Sequence, residues 1–160
     1  MQSNHSEFIC EKHALDIVIL CDGLSSPANI GGVLRWADAY GVLKVVFLGS
    51  DKKITPRAKS VARGTQNYVN YEFKAKLEGM DLEDREWICI ELTKNSIPLS
   101  DLKLSSSKVG VIIGNENTGV SEIWLQKFPS FYIKMFGNNS SMNVTNALSA
   151  GLYQITNHFS

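Results

Sequence analysis

The chain has 160 residues, 44% of them hydrophobic, and its 16 Lys and Arg are balanced by 16 Asp and Glu. That length fits one domain with a real core, and the zero net charge excludes the global basic footprint of a strong nucleic-acid binder. The start of the sequence lacks the basic and apolar regions of a signal peptide, and no apolar run is long enough to span a membrane, so the expected location is the cytoplasm. Cys10, Cys21 and Cys89 lack metal-ligand spacing, and Cys21 and Cys89 fall in apolar runs, which predicts buried free thiols. His5, His13 and His158 lie near the termini with no nucleophile to pair with. Neither a metal site nor a Ser-His-Asp hydrolase site is expected.

In chain order, the apolar runs predict strands at residues 16–21, 44–48, 86–92, 108–113 and 130–135, with a further one at 68–73. Helices are expected after Asn29, around 56–63, near 99–102, after Ser121 and after Asn143. The alternation defines an α/β fold with a mainly parallel sheet, without internal repeats or low-complexity linkers.

Three polar constellations interrupt this pattern. The first is Pro27-Ala28-Asn29-Ile30-Gly31-Gly32-Val33-Leu34-Arg35, after the first strand. Asn29 has the chemistry of an N-cap, and Ile30, Val33, Leu34, Ala37 and Tyr40 form a buried face. A helical glycine costs about 1 kcal/mol relative to alanine, so the Gly31-Gly32 pair implies a close backbone approach. Arg35, four residues after Gly31, either meets a phosphate or carboxylate beside that bare patch or is a solvated arginine near Asp38. The G-x-G-x-x-G dinucleotide spacing is absent.

The second constellation is Gly114-Asn115-Glu116-Asn117-Thr118-Gly119, where the apolar strand at 108–113 empties into a glycine-bracketed loop. Ligands of parallel α/β sheets bind at such carboxyl ends. Glu116 there is either a solvated turn carboxylate or, preferably, a ligand contact or an orienter of Arg35. The third is Ser141-Met142-Asn143-Val144-Thr145-Asn146-Ala147, which runs straight into an amphipathic helix with apolar residues at Val144, Ala147, Leu148, Gly151, Leu152 and Ile155. Ser141 and Asn143 stand at its N-terminus, where free N–H groups and the dipole favour a polar or anionic ligand.

Together the three segments resemble motifs 1, 2 and 3 of the SpoU/TrmH family of RNA ribose 2′-O-methyltransferases, in order and in strand context. The resemblance covers nearly the whole chain from about Asp16 to the C-terminal helix. It implies a SPOUT-class domain spanning residues 1–160, whose C-terminal segment makes a deep trefoil knot that periodicity alone never predicts. Many members of that family carry an extra N-terminal RNA-recognition domain; here Asp16 already opens the first strand, so no separate one is expected. The implied cofactor is S-adenosylmethionine, gripped by Leu92, Thr93, Gly114, Asn115, Gly119, Ile133, Met135, Ser141, Met142 and Asn143, with no metal required. Lys134 stands where relatives often have proline.

The same resemblance makes Arg35 the residue that activates the ribose hydroxyl, with Asn29 and Glu116 positioning it and the RNA and with Ser141 and Asn143 completing the site. An arginine is normally always protonated, so a literal base and a charge stabiliser are both open roles for Arg35. The implied partners are tRNA or rRNA and a second copy of the chain, with no membrane. Apolar residues Trp36, Tyr40, Leu152 and Phe159 are read as the dimer surface. Asn29, Arg35 and the local basic run Lys52, Lys53, Arg57, Lys59 and Arg63 are the expected RNA contacts, followed by Gly64-Thr65-Gln66, which is similar to a family segment that faces RNA. The alternative function is a non-catalytic knotted module that binds S-adenosylmethionine or RNA as a subunit.

Overall fold

The computed structural model of the chain describes residues 12–49 and 53–158. Seven strands form one sheet: β1 (Asp16–Asp22), β2 (Lys44–Leu48), β3 (Tyr71–Lys74), β4 (Glu86–Ile90), β5 (Ile97–Pro98), β6 (Lys108–Ile113) and β7 (Ser130–Tyr132). Their order is β3-β2-β1-β6-β4-β7-β5, and every pairing is parallel. Four helices complete it: α1 (Pro27–Ala39), α2 (Pro56–Ala62), α3 (Glu122–Lys127) and α4 (Val144–His158).

The central strands are continuous apolar runs because both faces of the sheet are covered. On one face Ile17, Ile19, Val109, Val111 and Ile113 pack against Val33, Leu34 and Ala37 of α1, Ala58 and Ala62 of α2, and Leu148, Leu152 and Ile155 of α4. On the other, Val18, Leu20, Trp87 and Ile112 meet Trp124 of α3. Burying each of Leu148, Leu152 and Ile155, all 0% exposed, contributes about 1.5–3 kcal/mol, which anchors α4 and the loop leading into it.

After β4 the chain runs to the sheet edge at β5 and returns to insert β6 between β1 and β4. It then inserts β7 between β4 and β5. This order is consistent with the C-terminal trefoil knot implied by the family motifs. Among the described residues no helix is long and apolar enough to cross a membrane.

Several elements differ from expectation for identifiable reasons. Helix α1 starts at Pro27 with Ser26 as N-cap, so Asn29 sits inside the first turn. Proline needs no N–H there, and Glu116 accepts the Ser26 N–H. Strand β4 ends at Ile90; the Glu91 N–H still donates to the Phe131 carbonyl at 2.9 Å, and the Glu91 carboxylate then takes the Leu92 N–H, which withdraws that donor from the ladder. Strand β7 stops at Tyr132, not 135, since its edge partner β5 has two residues and ends in Pro98, which has no N–H to extend the ladder. The expected helix near 99–102 is one 3-10 turn, Leu99–Asp101. The strand expected at 68–73 is Tyr71–Lys74, preceded by the 3-10 turn Thr65–Asn67.

Candidate functional site

The carboxyl ends of β4, β6 and β7 and the start of α4 enclose a cleft of about 570 Å³. Of the residues expected to hold a cofactor, Leu92, Gly114, Asn115, Gly119, Ile133, Met135, Ser141, Met142 and Asn143 all line it. Thr93 does not; its hydroxyl shares a hydrogen bond with Ser130 Oγ at 3.2 Å and its N–H donates to Ser96 Oγ at 3.0 Å, which closes a turn behind the cleft wall. Ile90, Glu91, Phe131, Tyr132 and Ser140 are lining residues that the sequence motifs do not mark.

The β6 loop is held by its own backbone. Asn115 and Gly119 exchange N–H···O bonds at 3.0 Å in both directions, and Asn115 Oδ1 accepts the N–H of Asn117 at 2.9 Å. Asn115 Nδ2 donates to the Gly23 carbonyl at 2.7 Å, which ties the loop to the end of β1. A Cβ on Gly114 would stand 2.0 Å from the Gly119 carbonyl carbon, so only glycine fits. Glu91 accepts the Val120 N–H at 3.0 Å through Oε2 and the Leu92 N–H at 3.0 Å through Oε1, joining the β4 and β6 loops. The signal for Glu91 was available: a carboxylate at the carboxyl end of a buried strand stands where parallel sheets place ligands.

Glu116 is the hub of the cleft mouth. Its carboxylate accepts from the Ser26 N–H at 2.8 Å, Asn29 Nδ2 at 3.0 Å, Ser25 Oγ at 3.2 Å and the Ser25 N–H at 3.3 Å. Burial alone would raise its pKa, but the hydrogen bonds from its own N–H, Asn29, Ser26 and Ser25 outweigh burial and hold the carboxyl below its ordinary value. Glu116 therefore fixes the entry into α1 from outside the helix, holding the N–H groups of Ser25 and Ser26 and the side chain of Asn29. Asn29 Oδ1 in turn accepts from Asn143 Nδ2 at 3.2 Å. All three motifs thus meet in one hydrogen-bonded chain, Glu116 to Asn29 to Asn143. Ser141, Met142 and Asn143 are exposed, and Ser141 donates its N–H to Asn139 Oδ1.

Arg35 is exposed, lies outside the cleft lining, and forms no ion pair with Asp38 or any other described residue. The bare glycine patch near it is not open to a ligand. A Cβ at Gly31 would meet the Ala58 carbonyl oxygen at 2.4 Å and one at Gly32 would meet Thr145 Cγ2 at 2.9 Å, so these glycines let α2 and α4 close onto α1. Lys53, Arg57, Lys59 and Arg63 are exposed and unpaired among the described residues, whereas Lys52 lies outside them. Leu152, read from sequence as dimer surface, is fully buried in the single-chain core because it faces the sheet. Trp36 and Tyr40 are half-buried, and Phe159 lies outside the described residues.

A parallel α/β sheet with a polar, loop-built cleft at its carboxyl ends and a helix N-terminus opening into it has the architecture of a domain that binds a nucleotide-like cofactor. The model of the SpoU rRNA methylase family matches residues 16–153, and the chain belongs to that family. It is 29% identical over 164 residues to the Staphylococcus epidermidis protein named "Putative TrmH family tRNA/rRNA methyltransferase", covering 96% of this chain and 64% of that one. The chain therefore spans somewhat under two thirds of that relative's length. Among solved structures, the S-adenosylmethionine-bound rRNA methyltransferase of Sinorhizobium meliloti superposes with a TM-score of 0.78 at 18% identity, over 91% of this chain and 57% of the other. A structure described as giving "Structural insights into the 2-OH methylation of C/U34 on tRNA" has a TM-score of 0.78 at 19% identity, over 91% and 97% of the two chains.

Proposed function

We propose that this protein transfers a methyl group from S-adenosylmethionine to the 2′-hydroxyl of a ribose in tRNA or rRNA, in the cytoplasm and as a homodimer. The observation that carries this reading is the hydrogen-bonded chain from Glu116 through Asn29 to Asn143 at the mouth of the strand-end cleft. The cleft suits the cofactor by its chemistry. Its charged lining residues are Glu91 and Glu116, a field that favours a sulfonium and an ammonium, while Leu92, Ile133, Met135 and Met142 offer apolar surface to an adenine. When bound, the cofactor supplies an electrophilic methyl carbon. The ribose oxygen forms the new C–O bond as the S–C bond breaks, and the hydroxyl proton passes to phosphate or water.

The chain's own groups serve that displacement by alignment and charge. Asn29 and Asn143 orient the nucleotide at the mouth, and Arg35 swings in from the exposed face of α1 to stabilise charge on the ribose oxygen. Lys53, Arg57, Lys59 and Arg63, with Lys52, bind the RNA backbone. Dimerisation is supported by an apolar groove of about 710 Å³ on the outer face of α4, lined by Tyr40, Leu99, Phe136, Met142 and Tyr153. Phe136 there is 96% exposed.

The test is methylation of tRNA and rRNA with labelled cofactor, read by position and by sugar or base. Arg35→Ala is expected to keep its affinity for S-adenosylhomocysteine and to lose on the order of a hundredfold or more in turnover, the cost of removing a preorganised charge-stabilising group. Asn143→Ala should damage both. Full activity in Arg35→Ala overturns the role of Arg35, and methylated bases overturn the ribose target. A chain that binds S-adenosylhomocysteine and methylates no RNA is the non-catalytic module instead.

A further inference from the structure

The contact between Gly32 and Thr145, which lets α4 close onto α1, also bears on the hydrogen-bonded chain at the cleft mouth. Asn143 caps α4: its Oδ1 accepts the Thr145 N–H at 2.9 Å and the Thr145 hydroxyl at 2.6 Å. Its Nδ2 donates to Asn29 Oδ1, whose own Nδ2 donates to Glu116. A carboxylate only accepts, and the Thr145 N–H only donates, so the direction of the chain is fixed at both ends. Each amide nitrogen carries two hydrogens and commits one to the chain. The second hydrogens of Asn29 and Asn143 remain, on two residues that line the cleft.

The hydroxyl of Thr145 reaches Asn143 where the first turn of α4 lies close against α1. A Cβ at Gly32 would approach Thr145 Cγ2 to 2.9 Å, Thr145 Cβ to 3.4 Å and Oγ1 to 3.5 Å. Only the methyl is in collision; the other two distances are close to ordinary contact.

We propose that Gly32 and Thr145 are positioning residues that hold Asn143 against Asn29, so that the site presents two amide N–H donors to an oxygen of the nucleotide substrate. This rests on the methyltransferase reading. It makes the pair a reader of acceptors, suited to a ribose oxygen, with Asn143 Oδ1 already filled by its two bonds from Thr145.

The geometry dictates a rescue experiment. Gly32→Ala drives a methyl into Thr145 Cγ2, and Thr145→Ser removes Cγ2 while keeping the hydroxyl. Gly32→Ala is expected to lower kcat for RNA methylation about tenfold, and Thr145→Val about fivefold, the range of one lost hydrogen bond. Neither should change the Kd of S-adenosylhomocysteine by more than about twofold. Thr145→Ser alone, and the Gly32→Ala/Thr145→Ser pair, should return to within about twofold of wild type. In an Asn143→Ala background, Thr145→Val should have no further effect on kcat, which a merely structural role would not produce.

A second readout needs no turnover: the side-chain amide signals of Asn29 and Asn143 in ¹⁵N-labelled protein. They should move in Gly32→Ala and Thr145→Val and return in the double variant. The proposal is overturned if Gly32→Ala leaves both kcat and the amide signals unchanged, or if the double variant stays as impaired as Gly32→Ala. Absence of RNA methylation by the wild type would defeat the functional reading, and the amide signals would then decide the positioning claim alone.

Discussion

Replacing Glu116 with glutamine keeps the side-chain shape and removes one acceptor and the charge. In the native chain Oε1 serves the Ser26 N–H and Asn29, and Oε2 serves Ser25. The glutamine oxygen can occupy the first site, and its NH₂ then faces the Ser25 N–H, donor against donor. The Ser25 hydroxyl can rotate to accept and the Ser25 N–H can find water, because the site is only part-buried. What is lost is the charge assistance on the two remaining bonds, each worth about 1 kcal/mol at most here, giving about 1–2 kcal/mol after solvent screening. For a chain of this size that lowers Tm by about 3–6 °C.

The pH dependence carries the sign. The folded carboxyl of Glu116 sits below its ordinary value, so its contribution is complete above the usual carboxylate range and disappears as pH falls through the lowered folded value. Thermal melts of wild type and Glu116→Gln should therefore differ at pH 7 and converge on acidification below about pH 4. Equal Tm values at pH 7, or a gap that widens in acid, would refute the role of Glu116 in holding the entry into α1.

Gly114→Ala should abolish S-adenosylhomocysteine binding in calorimetry, because the new Cβ collides with the Gly119 backbone rather than with a flexible side chain; retained binding would show that the loop can move. Gly31→Ala should destabilise the fold by about 2 kcal/mol or more in urea melts, since its Cβ is forced against the Ala58 carbonyl and the Val61 side chain. Cys21 and Cys89 should resist alkylation at pH 8 in the native state and react in urea, read by mass: burial first, then nearby carboxylates, push the Cys89 thiol up to about 12 and the Cys21 thiol well above its ordinary value. A monomeric mass by light scattering at micromolar concentration would count against the dimer.

The strands were legible where both faces are buried, because β1, β2 and β6 read as unbroken apolar runs. Strand β5 was not, since two residues ending in proline carry no periodicity. The start of α1 was misplaced although Pro27 at the first helical position was a visible signal. Asn29 has cap chemistry, but its side chain is drawn to Glu116, 87 residues away, and no local rule weighs such a partner. The glycine pair shows the same limit from the other side. The cost of two helical glycines signals a close approach; what approaches, α2 and α4 rather than a ligand, depends on the assembled fold. Most of the cleft lining was accessible through the three motifs because they fall on loops at one end of the sheet. Glu91 belonged to none of them.

Charge placement reconciles a neutral chain with the polyanionic substrate of the proposed reaction. The cleft lining carries Glu91 and Glu116 and no cation, so a phosphate is repelled from the pocket, whereas a sulfonium is drawn in. The unpaired cations, Arg35 on α1 and Lys53, Arg57, Lys59 and Arg63 on or beside α2, lie outside that pocket. Because α2 packs directly on Gly31, one turn from Arg35, both sets belong to the same flank of the molecule. The two substrates of the proposed reaction are thereby sorted by sign, the cationic cofactor into the cleft and the RNA onto its rim. Glu116, bonded to Asn29 at the boundary, sits where the two must touch. In the reaction proposed above, the part that fits an exposed, unpaired guanidinium is that of a cation stabilising charge on the ribose oxygen as the proton departs, rather than of a group accepting the proton itself.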